Sequence, residues 1–181
     1  MKNVNKKFTE TNVRVNCRFS YCHVFQPRKN EQSGEMKYDC CVIVSKNDEQ
    51  AVKLIRDAVE AAKALYKEKF GAAKGRLKTV VHDGDEDKPD DPTVAGCLYI
   101  NASSKRKPGV KILESGMLVD ALDEADFYSG AYGAADINFF PYSSNGAFGI
   151  SCGLNNVLKL EDGEKLGGTG LSADAAFGDL T

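Results

Sequence analysis

The stretch from Tyr128 to Gly168 (YSGAYGAADINFFPYSSNGAFGISCGLNNVLKLEDGEKLGG) constrains the fold more than any other part of the chain. It sets aromatics and small residues in short alternating runs. Ser129-Gly130, Ser144-Asn145-Gly146 and Asp162-Gly163 interrupt those runs with turn chemistry. Alternation at period two, broken by such turns, specifies consecutive β-strands joined tightly. The expected strands cover 130–142, 147–154 and 156–160. From Gly163 the sequence turns to Gly, Ala and Asp and loses periodicity, so 163–181 reads as a flexible tail.

The N-terminal half carries the same signal. Residues 1–11 are polar and read as a flexible start. From Asn12, Val13, Val15, Cys17, Phe19 and Tyr21 alternate with Arg14, Asn16, Arg18 and Ser20. This is the pattern of a half-buried strand with two arginines on its outer face. It is expected to stop near Pro27, before a polar loop at 28–35. Lys37–Ser45 (KYDCCVIVS) is a second strand, apolar on both faces near its end. Asn47 or Asp48 then offers an N-cap, and Val52, Ile55, Val59, Ala62 and Leu65 or Tyr66 fall at helical spacing up to a stop at Gly71. Short strands follow at 79–82, 97–101 and 110–113, and 117–127 (MLVDALDEADF) reads as a short helix or turn. One long helix among about seven short strands implies a mainly β domain over 12–162, an elaborated antiparallel barrel or sandwich, with an OB-like barrel as one candidate.

Composition narrows the chemistry. Lys and Arg number 17 against 9 acids over residues 1–81, and 7 against 17 over 82–181. A basic half can track a polyanion while an acidic half repels it. No apolar run is long enough to span a bilayer, and the N-terminus lacks the apolar core of a secretory signal. The expectation is therefore a cytoplasmic protein with no membrane partner. Six cysteines occur with no CxxC pair, which favours reduced, buried thiols over a metal site.

Candidate catalytic motifs are weak. Asp83, Asp85 and Asp87 have the i, i+2, i+4 spacing of a calcium loop, but Lys88 stands where that loop needs Gly and Val94 where it needs Glu. There are two histidines, His23 and His82, and no GxSxG. GEKLGGTG is not a phosphate-binding P-loop. No catalytic residue, cofactor or metal is expected. What remains is aromatics interleaved with cations on strands, the arrangement that binds single-stranded nucleic acid by stacking and phosphate contact.

Four segments carry a further signal: RFSYCHVFQP (18–27), VHDGDEDKPDD (81–91), INASSKRKPG (100–109) and the 128–168 stretch, in that order. Together they resemble a family of phage and prophage single-stranded DNA-binding proteins, long catalogued as a domain of unknown function. The resemblance runs from about residue 10 to 170. It implies an OB-type fold related to the single-stranded DNA-binding proteins of T7-like phages. It implies a non-enzymatic function: coating and protecting unpaired DNA in phage replication or recombination, in the bacterial host cytoplasm. Proteins of this kind often recruit replication or recombination proteins through an acidic tail ending in an aromatic. Here the ending SADAAFGDLT has two acids, Asp174 and Asp179, and Phe177 is not terminal. A homodimer is left open.

On this reading Arg14, Arg18, Arg28, Lys29, Lys37, Lys105, Arg106 and Lys107 contact phosphates, and Tyr21, Tyr99, Phe139 and Tyr142 are the stacking candidates. Phe139 and its neighbour Phe140 must point to opposite faces, so one of the two is the exposed ring. The charge split further suggests that the acidic loop 83–91 or the tail competes with DNA for the basic face. Two alternatives stand beside this: a phage structural or assembly protein with a β-barrel and no DNA affinity, and a metal-dependent hydrolase built on the acidic loop.

Overall fold

The computed structural model describes residues 1–167. The strands are β1 (Lys6–Lys7), β2 (Asn12–Lys29), β3 (Met36–Ser45), β4 (Lys78–Thr79), β5 (Val81–Asp83), β6 (Cys97–Ser104), β7 (Gly109–Glu114), β8 (Met117–Asp120), β9 (Tyr132–Ser144) and β10 (Ala147–Glu161). Two helices, α1 (Glu49–Phe70) and α2 (Gly84–Asp87), lie between β3 and β6.

Five strands close a barrel. β2 pairs antiparallel with β3 and β9, β3 with β6, and β9 with β10. A parallel contact between Gly153 of β10 and Ser103 of β6 joins the ends. This is the five-stranded connectivity of an OB barrel, with β2, β3, β6, β9 and β10 as its successive strands. Alternation decides what fills it. Val13, Val15, Cys17 and Phe19 of β2, Cys40, Val42 and Val44 of β3, and Ile137 and Phe139 of β9 all point inward. Each fully buried apolar side chain of this size contributes about 1.5–3 kcal/mol.

Helix α1 plugs one end of the barrel. The Asp48 carboxylate accepts from the Ala51 backbone N–H at 3.0 Å, which fixes where it starts. Gly71 at φ 82° lets the chain leave. Ala51, Ile55, Ala58, Ala62 and Tyr66 form its buried stripe.

Three expectations are corrected. β2 runs through Pro27 to Lys29, because it has become one arm of a hairpin whose register shifts at Ser20–His23 and again before Arg28. Of residues 117–127, Met117–Asp120 is strand β8 against β7, and the turn is confined to 123–127, where Asp126 and Phe127 N–H donate to the Asp123 carbonyl. β10 is one strand rather than two, since a bulge between Leu154 and Asn156 absorbs the break in alternation. The N-terminal residues also make contacts with the barrel and with the cap of α1. Lys6 and Lys7 pair with Arg14 and Val13, the Asn16 side chain bonds the backbone of Lys2 and Val4, and Asn5 bonds Asp48. Residues 163–167 also lie against the barrel, with Leu166 N–H donating to the Ser129 carbonyl at 2.9 Å. The remainder of the expected tail lies outside the described residues.

Candidate nucleic-acid interface

In an OB barrel the outer face of the second and third strands, flanked by the hairpins after the first and fourth, is where oligonucleotides lie. Here those strands are β3 and β6. Their outward residues pair as Asp39 with Ser103, Cys41 with Asn101 and Ile43 with Tyr99. The flanking hairpins are residues 30–35 between β2 and β3 and Asn145-Gly146 between β9 and β10.

The first hairpin gathers charge. Arg28, Lys29 and Lys37 line a cleft of about 340 Å³ with Asp39 and Ser103. Lys105, seventy residues away in sequence, is brought to the same place by Glu35, whose carboxylate lies 2.9 Å from Lys105 Nζ and 3.7 Å from Lys37 Nζ. The Lys105 hydrogen bond holds the Glu35 carboxyl below its usual range. Asp39 accepts from Arg28 Nε at 2.6 Å and bonds His23 Nδ1 at 2.7 Å, so Arg28 is oriented at the cost of part of its charge. Lys29 is exposed and makes no ion pair among the described residues. Lys107 sits over the Phe25 ring at 6.0 Å, and Arg106 and Lys107 line a neighbouring cleft with Asn155 and Asn156.

The other two candidate cations stand apart. Arg14 donates to the Val4 carbonyl at 2.6 Å and leans on Phe8, beneath the N-terminal arm. Arg18 donates to the carbonyls of Gly130 and Glu164 at 3.1 and 2.8 Å and stacks over Tyr132. Its guanidinium closes a loop against the barrel.

The aromatics divide more sharply. Tyr21 is 66% exposed and holds a left-handed backbone at φ 48°. It sits where β2 slips its register against β3, a bulge that turns the ring outward. Tyr142 is half-buried on β9 opposite Gly149. Two stacking candidates lie buried. Phe139 is 0% exposed inside the barrel, and Phe140 beside it is the exposed ring at 41%. Tyr99 is 7% exposed: His82 stacks on it at 4.8 Å, Lys88 Nζ lies over it at 4.7 Å, and Asp87 accepts from its hydroxyl at 3.4 Å.

That cover is the acidic segment. Asp83 and Asp85 both bind Lys46, at 2.6 and 2.7 Å, and Asp85 also accepts from Gly96 N–H. Lys46 holds the Asp83 carboxyl below its usual range, and the Gly96 N–H followed by Lys46 does the same for Asp85. Residues 83–87 thus form a helical turn rather than a calcium loop. Among the described residues no three of His, Cys, Asp and Glu gather as a metal site. Val94 then packs with Cys41, Ile43 and Tyr99 as a small second core outside the barrel.

Sequence reasoning missed Lys88, Asn101 and Ser103. Lys88 borders a cleft of about 250 Å³ with Tyr21, Cys41 and Ile43. Its signal was a lone cation in an acidic run. Asn101 and Ser103 alternate with buried Ile100 and Ala102, so their outward position was visible in the pattern.

Barrel, hairpin cluster and exposed ring together define the class: an OB-type nucleic-acid-binding domain. The family model for the Enterobacter phage Enc34 single-stranded DNA-binding protein matches residues 11–181, and the chain belongs to that family. The solved Enc34 protein in complex with single-stranded DNA is 28% identical over 92% of this chain and 99% of its own, with a TM-score of 0.76. The same Enc34 protein, in another solved structure, is 25% identical, covering 98% of this chain and 99% of its own, with a TM-score of 0.73. Protein p50 of Acyrthosiphon pisum secondary endosymbiont phage 1 is 27% identical over 176 residues, 92% of this chain and 91% of its own. The single-stranded DNA-binding protein gp2.5 of phage T7 shares the fold alone, at 10% identity over 89% of this chain and 96% of its own, and a TM-score of 0.53. Among the described residues no helix is long and apolar enough to cross a membrane.

Proposed function

We propose that this protein is a non-enzymatic, sequence-tolerant single-stranded DNA-binding protein that coats and protects unpaired DNA during phage or prophage replication or recombination. The observation that carries the reading is membership, across residues 11–181, of the family whose Enc34 member has been solved with single-stranded DNA. The strand would cross the open part of the β3–β6 face, past Asn101 and Ser103. Lys29, Lys37 and Lys105 hold its phosphates, with Arg28, Arg106 and Lys107 at the margins, and Tyr21 offers a ring for a base. Phe140 and Tyr142 extend the aromatic surface toward the second hairpin. Arg14 and Arg18 support the scaffold on this reading. The finer parts of the same proposal are the bacterial host cytoplasm as location and replication or recombination proteins as partners through the C-terminal residues, with a homodimer as one form of assembly.

The chain has seven Tyr and no Trp, so tyrosine fluorescence reports stacking directly. Titration with oligo(dT), duplex DNA and oligo(U) at two salt concentrations tests the proposal. Quenching by oligo(dT) that weakens steeply with salt is expected. Absence of both quenching and a gel shift at low salt would reject it in favour of a structural protein without DNA affinity.

A further inference from the structure

Two surfaces away from the β3–β6 face complement one another. The first is a groove of about 650 Å³ between α1 and the β4–β5 segment. Val52, Val59, Leu77 and Leu98 supply an aliphatic floor, and Arg56, Lys63, Arg76 and Lys78 supply a cationic rim. Glu60 is the one acid lining it, and it is engaged by Lys63 at 3.1 Å. Arg56, Arg76 and Lys78 are exposed and have no carboxylate within ion-pair distance among the described residues.

The second surface is the β7–β8 hairpin with the turn after it. Met117, Leu118 and Leu122 are 65%, 61% and 83% exposed. Glu114, Asp123 and Glu124 stand exposed around them. Three large aliphatic side chains that open to water on one short hairpin mark an interaction site rather than a solvated turn. Among the described residues β8 is also the terminal strand of the sheet, with its outer edge unpaired.

We infer that the acidic, aliphatic β7–β8 hairpin of one copy docks in the basic, aliphatic α1–β4–β5 groove of a second copy. The occupant is set by complementarity in both sign and apolar character. The one ring lining the groove is that of His82, and it is already stacked on Tyr99, so a DNA strand is the poorer fit. The hairpin cannot reach its own groove. β4 joins β10 at Gly149–Ile150 and β7 joins it at Asn156–Lys159, which puts the two surfaces ~25 Å apart along one strand. A contact between different patches on identical copies is heterologous, and unless its rotation closes a ring it propagates as an open chain. Such a chain matches the task of coating a strand, yet it forms without DNA, so it can fail while the DNA-binding reading stands.

Sedimentation of the full-length protein without DNA tests this. The wild type should associate reversibly as its concentration rises, and salt should weaken the association. A groove variant (Arg56→Glu, Arg76→Glu, Lys78→Glu) and a hairpin variant (Glu114→Lys, Asp123→Lys, Glu124→Lys) should each stay monomeric. An equimolar mixture of the two should associate again, because each reversed surface then meets its opposite. Regained association also shows that both variants are folded. Both should bind a short oligo(dT) within about twofold of wild type. A wild type that stays monomeric throughout, variants that associate as it does, or a mixture that does not regain association overturns the inference. So does a groove variant whose affinity for short oligo(dT) falls tenfold, which would make the groove part of the DNA path.

Discussion

Adjacent residues on one strand meet opposite fates, and Phe139 and Phe140 show it. Phe139 fills the barrel, so Phe139→Ala should lower stability by about 3–5 kcal/mol, read as a lower midpoint in urea. Tyr21 faces water, and its contribution belongs to binding. Replacing its ring without disturbing the left-handed backbone calls for asparagine, which tolerates that conformation. Tyr21→Asn should weaken oligo(dT) binding by ~1–3 kcal/mol, the usual loss for one stacked base, and leave the urea midpoint nearly unchanged. A variant that unfolds early and binds normally would instead make Tyr21 a structural residue. Arg18 and Lys29 make a parallel contrast. Arg18 donates to two carbonyls, whereas Lys29 is uncommitted. Lys29→Ala should therefore make the slope of log affinity against log salt shallower by ~0.7, the effect of one fewer phosphate contact on a single strand, and Arg18→Ala should lower stability first.

At the scale of elements, the acidic segment acts as a cover. It packs on the outside of β3 and β6, seals Tyr99 and Ile43, and is fastened through Lys46. Asp83 and Asp85 have folded pKa values below the ordinary 3.8. Their contribution to stability is fully present above that value and is lost as pH falls through their lower, folded values. Amide exchange at Val94 and Cys97 should accordingly quicken, relative to exchange in the barrel strands, only once pH drops below about 4. Unchanged relative protection in that range would mean that the carboxylates do not fasten the cover. Gly84 offers a second handle. A Cβ there would collide with the Val94 carbonyl oxygen and the Val94 side chain. Gly84→Ala should loosen the same amides at neutral pH while the barrel strands stay protected. Because the cover leaves Asn101 and Ser103 uncovered, it also sets where a strand of DNA can cross the face.

For the whole molecule, the charge split in the sequence becomes a division of surfaces. Cations cluster at the β2–β3 hairpin and around α1, while acids collect on the cover and on the β7–β8 hairpin. How much of this the sequence could show depends on the range of the interaction. The β2 alternation and the Asp48-to-Gly71 helix were legible because the signals lie within one turn or one strand of the residues they govern. β8 was missed because MLVD is only four residues long and the acids after it mimic a helix. The β10 bulge was missed because a bulge is satisfied by the partner strand β9, which the local pattern does not contain. Half of the candidate site was legible in the same sense. The cations were found, but their use was not. Only the fold joins Lys105 to Lys37 across Glu35, spends Arg18 on carbonyls, and lays Lys88 over Tyr99.

The sequence by itself determined the sheet-rich domain, its one long helix, the turn chemistry from Tyr128 onward and the family resemblance. These rest on periodicity, capping and motif order, which are properties of neighbouring residues. The tertiary structure alone decided that the sheet closes, where β10 pairs with β6 at Gly153 and Ser103. It also decided which of two adjacent phenylalanines is buried and which face the acidic segment covers. Each of those outcomes is set by packing between segments that are far apart in sequence, and no local pattern encodes the partner.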